Sequence, residues 1–127
     1  MKKIMLCIHN CLMAASITHT LNQTGSFLVY SICPGCKDAA KSCEQASADI
    51  LVMEAAYELG TTLEDCLNEA QLLRSLRPQC KVILLCDENS APEIARQVAQ
   101  AKKDERIDDF IYSSVSQSYL TALLSSI

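Results

Sequence analysis

The chain has 127 residues, half of them hydrophobic, and its 11 basic and 15 acidic side chains give a formal net charge of −4. This length and only 3 glycines and 3 prolines exclude collagen-like and disordered classes and predict a single domain over residues 1–127. The acidic balance argues against direct binding of nucleic acid, and no apolar run is long enough to span a membrane.

Five hydrophobic runs predict five strands, at 4–8, 26–32, 49–53, 81–86 and 108–112. Four of these runs are continuous rather than alternating, which is typical of strands buried on both faces of a parallel sheet. A helical segment follows each strand, at 11–25, 37–48, 61–78, 90–103 and 116–127. Gly25 is a plausible end for the first helix and Pro92 a plausible start for the fourth.

This fivefold alternation of strand and helix predicts an α/β fold, a doubly wound parallel sheet with helices on both faces. Ligands of such sheets bind beyond the carboxyl ends of the strands. The residues that follow the strands are therefore the candidate site residues, and they include His9, Asn10, Glu54, Cys86 and Ser113.

Eight cysteines occur, at positions 7, 11, 33, 36, 43, 66, 80 and 86. Their number alone would suit a disulfide framework, but a chain this long and hydrophobic does not need one. Cys7 and Cys86 lie within hydrophobic runs, where cysteine acts as a small hydrophobic residue. The N-terminus lacks a clean signal-peptide cleavage site. We therefore expect reduced thiols and a cytoplasmic location.

The motif Cys33-Pro34-Gly35-Cys36 lies between the second strand and the second helix. Two cysteines spaced in this way at a helix N-terminus have a lowered thiol pKa and support disulfide exchange. A thiol-redox switch through Cys33 and Cys36 is thus one alternative function. The simpler interpretation is a tight Pro-Gly turn with incidental thiols, and two thiols alone do not complete a closed zinc site.

Four segments stand out together: KKIMLCIHN, DILVMEAAYELG, KVILLCDE and DDFIYSSVS. Through them the whole chain resembles the receiver domain of a two-component response regulator. The resemblance implies a flavodoxin-like (βα)5 sandwich whose five-stranded sheet has the order 2-1-3-4-5. It also implies a signalling domain rather than an enzyme, with a histidine kinase as a possible partner.

The site residues implied by this resemblance depart from the pattern of the family. Glu54 stands where the family has its phosphate-accepting aspartate. Depending on a register choice of one residue, either Ile8 and His9 or His9 and Asn10 stand where the family has the acidic pair that holds Mg²⁺. Magnesium prefers oxygen ligands and usually takes one or two carboxylates. Cys86 replaces the phosphoryl-contacting Thr or Ser, and Ser113 replaces the lysine. We therefore expect a degenerate receiver, or pseudo-receiver, that binds neither Mg²⁺ nor another metal or cofactor.

Several interpretations of this pocket remain open. Glu54 could mimic a phosphorylated acceptor, although one carboxylate carries less charge than a phosphate, or it could simply bond to loop backbone. His9 and Glu54 could form a pH-sensitive ion pair. With Cys86 they also offer the ligand types of a transition-metal site or of a nucleophile with its base. These last two alternatives are the weakest, and nothing in the sequence supplies the oxyanion hole that the nucleophile would need.

Phe110 stands at the position of the family's switch aromatic residue, on the last strand. The resemblance implies that the face of the last two helices and the last strand binds a protein partner or a second copy of the chain. We expect a domain that acts through this face without conventional aspartyl phosphorylation. The alternative is the N-terminal receiver of a longer transcription regulator that still responds to a phosphorelay.

Overall fold

The computed structural model describes residues 1–32, 37–56, 62–89, 91–114 and 116–127. Strands and helices alternate along the chain: β1 (Lys2–Cys7), α1 (Cys11–Gln23), β2 (Phe27–Ile32), α2 (Ala39–Ala46), β3 (Ile50–Glu54), α3 (Leu63–Leu76), β4 (Lys81–Cys86), α4 (Pro92–Lys103), β5 (Asp109–Tyr112) and α5 (Gln117–Ser126). The strands are parallel and form one sheet in the order β2-β1-β3-β4-β5. The predicted fold class and strand order are confirmed.

The sheet separates two hydrophobic cores, and β1 shows how the sequence fills both. Ile4 and Leu6 belong to the core covered by α1 and α5, whereas Met5 and Cys7 belong to the core covered by α2, α3 and α4. Successive side chains of a strand point to opposite faces, so a strand covered on both sides must be hydrophobic at every position. This double burial explains the continuous runs in the sequence.

Side-chain caps fix where three of the helices begin. The side chain of Asn10 accepts a hydrogen bond from the backbone of Met13 and so caps α1. Thr62 and Asp65 form a reciprocal capping box at the start of α3, and Ser116 caps α5. Each cap satisfies backbone N–H groups that have no partner within the helix. None of the helices in the described ranges has both the length and the hydrophobicity needed to cross a membrane.

The cysteines fall into different environments. Five are outside any disulfide and buried in the core covered by α2, α3 and α4: Cys7, Cys43, Cys66, Cys80 and Cys86. For Cys7 and Cys86 this burial agrees with their expected role as small hydrophobic residues. Cys11 is disulfide-bonded, so the expectation of reduced thiols is wrong at this residue, which is exposed at the start of α1 and not protected by burial. Cys33 and Cys36 lie outside the described residues.

Candidate functional site

The candidate site lies at the carboxyl edge of the sheet, where the five parallel strands end. Because β1 pairs with β3 and β3 pairs with β4, the residues that follow these strands are brought together. Met53 lies beside Cys7 in this register, and Glu54 lies beside Leu85. The fold thus places Glu54 between the β1–α1 connection and the end of β4.

Glu54 is held by the backbone of the neighbouring connection. Its Oε1 atom accepts a hydrogen bond from the backbone N–H of His9 at 2.9 Å and another from that of Asn10 at 3.2 Å. Hydrogen bonds to an ionised acceptor are stronger than those between neutral groups. The half-buried carboxylate therefore ties the end of β3 to the start of α1, and the contact with His9 uses its backbone rather than its imidazole ring.

The side chains of His9 and Asn10 lie where the resemblance implies the acidic pair. The Asn10 side chain is occupied as the cap of α1, and His9 is half-buried beside it. Neither supplies a carboxylate, the ligand that a magnesium site usually requires. Within the described ranges, no three His, Cys, Asp or Glu side chains are grouped so that they could hold a metal ion.

Cys86 lies at the end of β4 with its thiol directed into the protein. The residue is buried, and its Sγ donates to the carbonyl oxygen of Ile111 at 3.8 Å. Burial, together with the negative charges of Glu88 and Asp87, raises the pKa of this thiol to about 11. The thiol is therefore neutral near pH 7, and a neutral thiol is a weak nucleophile and a weak metal ligand.

Hydrogen bonds join the connections that follow β4 and β5, beside the Cys86 thiol. The backbone N–H of Ser113 donates to the carbonyl oxygen of Cys86 at 2.8 Å, which extends the pairing of β4 with β5. Beyond it, the hydroxyl of Ser114 donates to Oε1 of Glu88. The other carboxylate oxygen of Glu88 is buried and has no hydrogen-bond partner within the described part of the chain. Sequence reasoning missed Glu88, although the acidic pair that directly follows β4 was a usable signal.

Phe110 lies on the surface formed by α4, β5 and α5, here called the α4-β5-α5 face. Its ring is partly buried against the core and meets Tyr112 edge to face, with ring centroids 5.6 Å apart. The Lys102 ammonium lies 5.9 Å from the Phe110 ring centroid and 2.9 Å from a carboxylate oxygen of Asp109. Tyr112 is 37% exposed and Tyr119, on α5, is 55% exposed. Phe110, Tyr112 and the Lys102–Asp109 ion pair thus lie together on this face.

The fold matches solved receiver domains, although no family model and no curated protein matches the sequence. A CheY-like receiver domain protein from Methanospirillum hungatei JF-1 has a TM-score of 0.76 and 13% identity, covering 99% of this chain and 92% of that chain. The receiver domain of NarL from Mycobacterium tuberculosis has a TM-score of 0.77 and 14% identity, with coverages of 98% and 94%.

RcsB from Salmonella enterica serovar Typhimurium, solved bound to the promoter rprA in the presence of phosphomimetic BeF3−, has a TM-score of 0.74 and 14% identity. The match covers 99% of this chain and 98% of that chain. Identities this low establish the fold alone. The chain therefore has the flavodoxin-like fold of response-regulator receiver domains.

Proposed function

We propose that this chain is a receiver-like signalling domain that acts by binding another protein and does not use conventional aspartyl phosphorylation. One observation carries the proposal: the Glu54 carboxylate, at the acceptor position, is already engaged by the backbone N–H groups of His9 and Asn10. The side chain serves as an anchor between β3 and α1. The proposed domain is cytoplasmic, is not an enzyme and spans residues 1–127.

The surrounding residues support the loss of phosphoryl chemistry. Transfer of a phosphoryl group depends on positioning and on positive charge that stabilises the transition state. His9 and Asn10 provide no carboxylate for a divalent cation, Cys86 presents a buried thiol, and Ser113 stands where the resemblance implies a lysine. Without metal, acceptor aspartate and lysine, Glu54 lacks the groups that would make its carboxylate a phosphoryl acceptor. We therefore propose that the domain binds neither Mg²⁺ nor another cofactor.

The α4-β5-α5 face is the proposed binding surface. Tyr112 and Tyr119 are exposed there, and Phe110 is only partly buried. Tyrosine and phenylalanine are enriched at protein interfaces because they contribute large contact areas. The Lys102–Asp109 ion pair supplies a polar rim, which favours specificity more than affinity. A protein partner or a second copy of the chain fits such a surface, whereas the net charge of −4 of the whole chain argues against a nucleic acid.

The test is an amide NMR titration of the chain with Mg²⁺ and then with beryllofluoride, under reducing conditions. We expect the resonances of residues 9, 10, 54, 86 and 113 to stay in place. A parallel incubation with acetyl phosphate and Mg²⁺ should leave the mass of the intact protein unchanged. Saturable shifts at those residues, or addition of a phosphoryl group at Glu54, would overturn the proposal.

The same titration tests an alternative function. In this alternative, the chain is the receiver of a longer transcription regulator that responds to a phosphorelay. The likeness to RcsB, which was solved on a promoter with a phosphomimetic, is the observation that favours this alternative. The phosphorelay alternative requires beryllofluoride to bind and to shift resonances on the α4-β5-α5 face as well as around Glu54. A thiol-redox switch through Cys33 and Cys36 stays a prediction from the sequence.

A further inference from the structure

A partly enclosed cavity of about 140 Å³ lies between the amino ends of α1 and α5, where they cover the carboxyl ends of β4 and β5. Five hydrophobic residues from these four elements line most of it: Met13, Ile17, Leu85, Ile111 and Leu120. The residues that complete the lining carry hydroxyl groups: Ser16, Tyr112, Ser113 and Ser116. The cavity is thus hydrophobic on most sides and has a polar part of its own.

The hydrophobic lining belongs to the core of the protein. Ile17, Leu85, Ile111 and Leu120 are 6%, 4%, 2% and 6% exposed, and all four are members of the core covered by α1 and α5. Protein interiors are close-packed and leave few spaces larger than a water molecule. A space of this size among core residues is therefore a specific feature of the fold, distinct from the surface around Glu54.

The two helices that border the cavity are held at their amino ends by side-chain caps. Asn10 caps α1 through the backbone N–H of Met13, and Ser116 caps α5 through that of Tyr119. Between these fixed ends, α1 presents Ser16 to the cavity, and a serine side chain fills little space. The cost of a cavity depends on how far its surroundings can collapse into it. Capped helix ends oppose such a collapse, so the space is retained.

The size and charge of the cavity restrict what it can hold. An engineered protein cavity of about 150 Å³ with hydrophobic walls binds benzene, and the cavity described here has nearly the same volume. None of the described residues that line it is charged. Because burying a charge without a partner is unfavourable, an ion does not suit it. Water gains few hydrogen bonds from hydrophobic walls, so a small uncharged organic molecule fits the space better.

The serine hydroxyls give the cavity a directional contact for such a molecule. The Ser116 hydroxyl oxygen accepts a hydrogen bond from the backbone N–H of Tyr119 at 3.1 Å. A hydroxyl group can donate and accept at the same time, so the Ser116 oxygen can still donate its own proton. Ser113, at the end of β5, lines the same part of the molecule. A single oxygen atom on the bound molecule can therefore be hydrogen-bonded there.

We propose that this cavity is a binding site for a small uncharged molecule that combines a hydrophobic body of the size of a benzene ring with one hydroxyl group. The hydrophobic body packs against Ile17, Leu85 and Ile111, and the hydroxyl oxygen accepts a hydrogen bond from Ser116. The proposal concerns the core under α1 and α5 and does not rest on the signalling function, so the two can fail separately.

The experiment is a methyl NMR titration of the full chain, with phenol as the probe because it combines one ring with one hydroxyl. We expect saturable shifts at the methyl groups of Ile17, Leu85, Ile111 and Leu120. The methyl groups of Leu51, in the core on the other face of the sheet, should stay in place. Shifts that do not saturate, or saturable shifts centred away from the cavity, would overturn the proposal.

A series of probes tests the class of molecule. Benzene has the same ring without the hydroxyl, and we expect it to bind several-fold more weakly than phenol. The second fused ring of 2-naphthol exceeds the volume of the cavity, so this probe should produce much smaller shifts at the same concentration. Equal affinities of phenol and 2-naphthol would show binding to the open surface instead. Equal affinities of phenol and benzene would contradict the role given to the Ser116 hydroxyl.

A variant that fills the cavity tests its location. Leu120→Trp places a larger side chain in the space and should abolish the phenol shifts. The matched control is Leu123→Trp on the same helix, which packs against the same core but does not line the cavity and should still bind phenol. Ser16→Leu fills the cavity from α1 and serves where Leu120→Trp fails to fold. Unchanged phenol binding in a folded variant that fills the cavity would overturn the proposal.

Discussion

The Glu54 carboxylate accepts a hydrogen bond of 2.9 Å from the backbone N–H of His9. This contact joins the end of β3 to the connection that follows β1, the two places where the resemblance to receiver domains puts the phosphoryl acceptor and the metal ligands. A group that serves as an internal hydrogen-bond acceptor contributes to stability, whereas a phosphoryl acceptor must remain open to its reagent. The proposed function follows from this difference, and stability measurements can test it.

Replacing Glu54 by alanine should destabilise the protein. The change leaves the backbone N–H groups of His9 and Asn10 without their acceptor, which costs about 1–3 kcal/mol when such groups are partly buried. Glu54→Gln keeps a side-chain oxygen in place and should cost less. Urea unfolding of both variants beside the native chain measures the two losses. If Glu54→Ala and Glu54→Gln are equally stable, the carboxylate is not the anchor described here.

The fold was largely predictable because its main signal is local. Continuous hydrophobic runs and the regular alternation with helices require only that each strand be covered on both faces. The element boundaries were less predictable. Strand β1 begins at Lys2, which pairs with Phe27, and β3 reaches Glu54, which pairs with Leu85. Helix α2 is shorter than expected because Asp38 and Ser47, the residues that bound it, adopt positive φ angles.

The site was only partly predictable, because residue types alone do not show which backbone groups its side chains contact. The sequence placed Glu54 and His9 together, but backbone N–H groups carry no sequence signature, so the donors to Glu54 could not be named. The burial of Cys7 and Cys86 could be inferred from their hydrophobic neighbours, whereas the burial of Cys43, Cys66 and Cys80 required the tertiary structure.

Lys2 offers a second test of stability, at the other end of the molecule. Its ammonium donates to the carbonyl oxygens of Leu124, Ser125 and Ile127 at 2.7–2.9 Å. These are carbonyl groups at the C-terminal end of α5, where a positive charge is favourable. We expect Lys2→Ala to lower the free energy of unfolding by about 1 kcal/mol and to increase amide exchange in the last turn of α5.

The matched control for this change is Lys41→Ala, which removes an exposed lysine from α2. Surface substitutions of this kind usually change stability by less than about 0.5 kcal/mol. Hydrogen exchange in α5 should be the same in this control as in the native chain. An equal effect of the two variants would show that net charge matters here rather than the cap of α5.

The α4-β5-α5 face can be tested without knowledge of the partner. Replacing both Tyr112 and Tyr119 by serine removes two exposed rings and, because Tyr112 also packs edge to face on Phe110, should lower the free energy of unfolding by about 1–2 kcal/mol. We expect the double variant to self-associate more weakly than the native chain in sedimentation equilibrium. The control is Leu28→Ser, which removes an exposed side chain from β2 at the other edge of the sheet. A larger effect from this control would place the self-association surface at β2.

The ionisation of the Cys86 thiol makes the stability of the protein depend on pH in the alkaline range. Its pKa is raised from 9.0 to about 11, first by burial and then by Glu88 and Asp87. The folded chain therefore holds this proton more tightly than the unfolded chain. The stabilising contribution is complete below pH 9 and is lost as the pH rises through about 11, because only the unfolded chain ionises in that interval.

We expect the free energy of unfolding to fall by about 1–3 kcal/mol over this interval on account of Cys86 alone. Other groups titrate over the same range, so the native chain is compared with Cys86→Ala in urea unfolding at a series of pH values. The variant should be less stable below pH 9, because it leaves a small cavity, and it should lose less stability as the pH rises. Parallel curves for the two proteins would mean that the Cys86 thiol titrates alike in the folded and unfolded chains, and that β4 does not hold it in the buried position described here.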